Sequence, residues 1–296
     1  MTPFRTQDPT SGEGTFPDPP AEAADSSLAI GAVREDIRQT LRMGWVDPAI
    51  EALAVHPVFF TAAWSAMRPN VGKSFLVLSR AVRAQASEAM GTGAVADLRK
   101  QLGDSLAEEE LGRIEDCVRA AHLAMAKMQI VIHGFHRAVR RDRVRGTGRE
   151  ESPIRRGVPD WQRWMAFHPA PDGAQEILDR AGEAYGLPSP PAPLRLLARW
   201  PVALQAAWSE VERQWSEASW EAGASRLRRA VLAGIDNLPH PIELQWPALK
   251  ARGFVDADRV EVAGLLASYD AAMPRQTMTA AVLWMAFGAP EIGTEA

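Results

Sequence analysis

Asn70-Val71-Gly72-Lys73-Ser74 reads like the tail of a phosphate-binding loop. Such a loop needs a glycine five residues before Gly72, so that backbone N–H groups can wrap the phosphate. Met67 stands there, and Pro69 interrupts the run. His133-x-x-His136 places two imidazoles one helical turn apart. Zinc takes three or four ligands, and no Cys or Glu at ligand spacing accompanies the pair, so no metal is expected. Cys117 sits among Ile114, Val118 and Ala121. A thiol in such apolar company is inert. The patterns G-x-S-x-G, H-E-x-x-H and G-x-G-x-x-G do not occur. Asp47-Pro48 is a helix start: the carboxylate can cap, and proline suits the first helical position.

The elements that would position these groups are helical. In SSLAIGAVREDIRQTLRM, Leu28, Ile30, Val33, Ile37 and Leu41 recur at helical spacing, and no alternating β-branched run appears. His56-Pro57 restarts a helix, because the residue before proline disfavours the helical conformation. A helix over about 74–90 precedes a break at Gly91 and Gly93. Ser105-x-x-Glu108 reads as a capping box opening a helix through Cys117 and His122, and a further helix covers 127–139. In the second half Arg195–Arg199 is read as a short helix, and Asp256 as a cap.

Bulk composition narrows the classes. The 296 residues carry a net charge of −4, which gives no pull toward nucleic acid or anionic lipid. One cysteine fits a reducing compartment. There is no membrane-length apolar run and no secretory signal pattern, so the expectation is a soluble, cytoplasmic protein with no membrane partner. Residues 1–26 are rich in Pro, Gly, Ser and acid and are expected to form a disordered tail. The stretch 136–157 holds eight arginines without interleaved aromatics and reads as a solvated linker rather than a nucleic-acid patch. Eight of the ten tryptophans follow residue 160, and core or pocket walls are their ordinary use.

The chain repeats itself. LAVHPVFFTAAWS at 53–65 and LARWPVALQAAWS at 197–209 agree at eight of 13 positions, 144 residues apart. Ser79-Arg80-x-x-Arg83-Ala84 returns at Ser225-Arg226-x-x-Arg229-Ala230, and Met125 at Met273. Repeats come before any other reading of a fold. The expectation is an all-α protein of two pseudo-symmetric repeats, 27–140 and 176–290, joined by an Arg-rich linker, 141–175. Like halves pair through like faces, as an intramolecular pseudo-dimer. The crevice between them is a natural ligand site. The loops at Asp47-Pro48 and at Pro190-Pro191-Ala192-Pro193 would border it.

The pattern LARWP-x-x-L-x-x-AW at 197–208, its copy at 53–64 and Arg68-Pro69-Asn70 resemble the DehI-type halocarboxylic acid dehalogenases, the group I 2-haloacid dehalogenases, from about Val33 to Leu283. The resemblance implies an all-helical pseudo-symmetric fold with its site between the repeats. It also implies hydrolytic loss of halide from 2-haloalkanoic acids by an activated water, with inversion, no ester intermediate and no cofactor. The family's water-activating Asp lies in an Asp-Tyr-Arg step before L-A-R-W-P. Aligned without gaps, that Asp falls at Pro193 and the Tyr at Leu194, while Arg195 is kept. The family's partner Asn falls near Met125 or Ala126. Tyr269, in LLASYDAAMP, matches a pocket tyrosine.

Proline accepts no proton, so catalysis would need another base, and Asp47 is the candidate. Trp45, Ala192, Pro193 and Tyr269 are the candidate substrate-binding residues. Three readings stay open: a hydrolase with a relocated carboxylate, a non-catalytic binder of a small carboxylic acid or apolar ligand, and a structural protein whose crevice is filled by Trp and Met. Pairing into a homodimer is a further expectation.

Overall fold

The computed structural model describes residues 21–90, 94–142, 144–151 and 154–288. Every regular element among them is helical. The first half holds α1 (Ala21–Leu41), α2 (Pro48–Leu53), α3 (Pro57–Met67), α4 (Lys73–Ala89), α5 (Leu98–Leu102) and α6 (Glu108–Val139). The second holds α7 (Asp172–Tyr185), α8 (Ala192–Arg195), α9 (Pro201–Trp215), α10 (Ser219–Ile235), α11 (Trp246–Ala251) and α12 (Asp256–Ala286). Residues 1–20 of the expected tail, and the expected break at Gly91 and Gly93, lie outside the described residues. Helix α1 begins at Ala21, within the stretch read as tail.

Prolines set many of the starts. Pro57 and Pro201 open α3 and α9, after His56 (φ −113°, ψ 71°) and Trp200 (φ −122°, ψ 81°). Both preceding residues are held out of the helical region, as the proline ring demands. Other boundaries differ from the sequence reading. The segments read as two helices around His122 and residues 127–139 are one helix of 32 residues. It starts after Ala107, whose N–H is taken by the Glu110 carboxylate at 3.1 Å, rather than at Ser105. The helix read at Arg195–Arg199 starts three residues earlier, with Pro193 in its first turn. Asp256 is the first helical residue of α12, and Asp258 accepts the N–H of Val255 at 2.8 Å.

Helices α6 and α12 pack along each other at the centre. Their partners run in opposite senses: His122 stacks on Trp284, Thr277 Oγ1 donates to Gln129 Oε1 at 2.8 Å, and His133 meets Asp270. The two helices are therefore antiparallel. They are buried nearly all round at their middles, which is the pattern of a core helix rather than an amphipathic one. Helices α4 and α10 pack on each other and on this pair, while α3 rests on α6 and α9 on α12.

The connection between the halves is tied down. Thr147 and Gly148 donate to the carbonyls of Leu238 and Pro239, Ile242 donates to Val144, and Gly157 donates to Gln39. Arg156 pairs with Asp36 of α1. Among the described residues, no helix is long and apolar enough to cross a membrane.

Candidate functional site

Asp47 ends the loop before α2, and its Oδ1 accepts the N–H of Ala49 at 3.0 Å. That cap uses one carboxylate oxygen. The other, Oδ2, is buried and has no partner among the described residues. Only 2% of the residue is exposed. Removing a carboxylate from water favours its neutral form. Burial pushes Asp47 up to about 6, against the opposing effects of the Ala49 N–H and the positive charge of Arg195.

Three other segments meet there. Tyr269 comes from α12, with its hydroxyl 3.5 Å from the Pro48 carbonyl and 3.4 Å from Ser189 Oγ. Burial raises its pKa, and the charge of Asp47 adds to the rise. Arg195, the last residue of α8, feels Asp47, Glu51 and Tyr269. Its guanidinium carbon lies 4.2 Å from the centre of the Phe167 ring, and Phe167 in turn lies 6.4 Å from Trp45. The indole N–H of Trp45 is also buried without a partner among the described residues. Each is a buried polar atom left unpartnered, of the kind that a water molecule or a ligand commonly satisfies.

The expected site residues are thus placed as follows. Trp45, Asp47 and Tyr269 share one buried neighbourhood. Ala192 and Pro193 are buried in α8, which packs on both α6 and α12 and ends in Arg195. Glu51, one turn along α2, pairs at the surface with Arg34. Sequence reasoning kept Arg195 but gave it no role here, and it missed Phe167 and Ser189 entirely. No spacing signal marks those two, since each comes from a different loop.

The remaining candidates separate from this neighbourhood. Cys117 is buried, and burial pushes its thiol up to about 12, so the reactive thiolate is suppressed. Ser74, in the run resembling a phosphate loop, takes the Glu151 carboxylate on its N–H at 3.0 Å. No cluster of three or more His, Cys, Asp or Glu suited to a metal occurs among the described residues. Met125 and Ala126 are fully buried, and the nearest side-chain amide along α6 is Gln129, held by Thr277.

No family model matches the chain. A "2-haloacid dehalogenase, configuration-inverting" of Pseudomonas sp. (strain 113) is 22% identical over 287 residues, covering 94% of this chain and 93% of the relative. An "(R)-2-haloacid dehalogenase" of Pseudomonas putida is 23% identical over 232 residues, covering 74% and 75%. Among solved structures, a D-2-haloacid dehalogenase mutant in complex with D-2-CPA superposes with a TM-score of 0.79 at 18% identity, over 87% of this chain and 91% of that one. A D-2-haloacid dehalogenase with L-LA gives 0.77 at 18% identity, over 96% and 100%.

Proposed function

We propose that this chain, a distant homologue of the configuration-inverting and D-2-haloacid dehalogenases over most of its length, is a hydrolase of 2-haloalkanoic acids that uses Asp47 as its base. The observation that carries the reading is the buried, unpartnered Oδ2 of Asp47, on a carboxyl whose proton leaves at about pH 6. A base of that strength is largely ionised at neutral pH yet still basic enough to take a proton from water. Arg195 supplies the positive charge for a substrate carboxylate, and Phe167 with Trp45 supplies the apolar wall for halogen and alkyl group.

Asp47 takes one proton from a water, and the water oxygen bonds to carbon 2 from the side opposite the halogen. The carbon–halogen bond breaks with its electron pair leaving on halide. The product is the 2-hydroxy acid of inverted configuration, and the proton on Asp47 then passes to solvent.

The architecture behind this reading is a doubled half. Several features support it. Helix α10 has the same 17-residue length as α4 with both ends 146 positions later, and α12 starts 148 positions after α6. Gln129 and Thr277, also 148 positions apart, bond to each other. Equivalent positions meet in that way on a twofold axis.

The test is chloride release from both enantiomers of 2-chloropropionate. Wild type is expected to turn over at least one enantiomer. Asp47→Asn, which can keep the cap through its amide oxygen, is expected to lose about 10²–10⁴-fold, the usual worth of a general base. Pro193 favours a second reading, a binder without turnover. Saturable carboxylate binding by a wild type that releases no chloride, with turnover appearing in Pro193→Asp, would establish that instead.

A further inference from the structure

The loop that carries Trp45 and Asp47 is fixed at both ends. Helix α1 ends at Leu41, and Arg42 follows in the left-handed conformation (φ 59°). The Met43 N–H then reaches back to the Arg38 carbonyl at 2.9 Å, the bond that closes a helix end of this kind. At the far end Asp47 caps α2. Between these points the Gly44 N–H is buried and must find an acceptor elsewhere, because an unmatched backbone donor is costly.

The acceptor comes from 118 positions along the chain: the Gly44 N–H donates to Oε1 of Gln162 at 3.1 Å, and Gln162 is 3% exposed. The segment around Gln162 is built to hold still. Asp160–Gln162 form a single helical turn, in which the Gln162 N–H donates to the Pro159 carbonyl at 2.9 Å. Just before it, the Val158 N–H donates to Gln39 Oε1 of α1 at 3.2 Å. Within it, the Trp161 ring lies 4.5 Å from the guanidinium carbon of Arg119 on α6, close enough for a cation–π attraction. The turn is thus fastened to two helices and presses on the loop from there. The approach is close, because a Cβ on Gly44 would collide with the Gln162 backbone oxygen and crowd Met165. The same connection brings Phe167 to Trp45 and Arg195.

The state of Asp47 depends on how well this loop is held. The groups facing its carboxyl are the Arg195 guanidinium from α8 and the Tyr269 hydroxyl from α12, while Glu51 of its own helix pairs with Arg34. Burial opposes the charge of the carboxylate, and a loop displaced toward water would relieve that opposition.

We propose that Gln162 is a positioning residue for the site: its side-chain oxygen fixes the loop that carries Trp45 and Asp47, so that the connection between the halves completes the neighbourhood. The inference rests on the reading of Asp47 as the base.

Gln162→Met keeps the length of the side chain and removes the acceptor. Its kcat for chloride release from 2-chloropropionate is expected to fall about 10²-fold, the cost of misplacing reacting groups by about an ångström. The acidic limb of its rate profile is expected to move from about 6 toward the ordinary carboxylate value of 3.8, as Asp47 becomes hydrated. Gln162→Glu keeps an acceptor oxygen at the same reach and is expected to retain most of the rate, with a limb no lower than that of wild type. Two readouts need no turnover. The Asp47 carboxyl, identified by NMR as the signal lost in Asp47→Asn, is expected to titrate lower in Gln162→Met than in wild type. That comparison separates failure of the hydrolase reading from failure of the positioning role. In the wild type, the Gly44 amide is expected to exchange with solvent at least about 10²-fold more slowly than an unprotected amide, a measurement that stands even if Gln162→Met does not fold. A folded Gln162→Met with wild-type rate and limb, an Asp47 titration unmoved by it, or a Gly44 amide that exchanges as if free would overturn the proposal.

Discussion

Asp47 contributes oppositely to stability and to chemistry. Its folded-state pKa of about 6 lies above the ordinary 3.8, so between those values the native state holds more protons than the unfolded chain. Stability therefore falls as pH rises through that window. A rise of that size corresponds to about 2–3 kcal/mol. Asp47→Asn is expected to stabilise the protein by roughly that amount at pH 8 and to have little effect below about pH 3.8, read from denaturant midpoints at each pH. A gain in stability with a loss of turnover is the signature of a strained functional group. Cys117 offers a plainer check at this scale. With its thiol buried and its pKa at about 12, it should react with a thiol reagent only in denaturant, and modification of the native protein at pH 8 would contradict its placement. Asp47 and Tyr269 were legible in the sequence, one as a helix start and one by resemblance. Arg195, Phe167 and Ser189 were not legible as neighbours, because long-range packing alone brings α8 and two separate loops to the start of α2.

The helices show where periodicity informs and where it stops. Starts at Pro48, Pro57 and Pro201 could be read because proline fixes its own φ and restricts the residue before it. The length of α6 could not. Lys127 stands in its middle and breaks any apolar stripe, yet it is buried and donates to the Leu41 carbonyl at 3.1 Å. A helix enclosed on all sides carries no single apolar face to detect. At the crossing of α6 and α12, Thr277→Val would leave Gln129 Oε1 without its donor. The expected cost is about 1–3 kcal/mol by denaturant unfolding. The loop carrying Trp45 depends on a close approach: a Cβ on Gly44 would stand 2.3 Å from the backbone oxygen of Gln162. Backbone cannot yield as a flexible side chain can. Gly44→Ala is expected to destabilise by about 1–3 kcal/mol and to reduce turnover by displacing Trp45 from Phe167.

For the whole molecule, the central antiparallel pair takes one helix from each half, and α4 pairs with α10 in the same way. Neither half can bury these faces alone, so the chain should unfold as one cooperative unit. The distribution of tryptophan makes this measurable. Six of the ten, from Trp200 onward, lie in the second half, so fluorescence is weighted toward that half while far-ultraviolet circular dichroism reports both evenly. Coincident denaturation curves are expected; separated ones would mean that the halves are independent. The echo between residues 53–65 and 197–209 was visible in the sequence because prolines and tryptophans mark it. That α6 packs along α12 was not visible, because no local signal encodes the pairing of two buried helices.

The proposed reaction begins with an ionised Asp47 drawing the proton from water. It is tested most directly by the pH dependence of kcat/KM for chloride release from 2-chloropropionate. The rate is expected to fall tenfold per pH unit below about 6, as the Asp47 carboxyl takes up its proton, and the residual rate of Asp47→Asn is expected to lack that limb. A wild-type profile flat from pH 5 to 8, or an Asp47→Asn variant as fast as wild type, would contradict it.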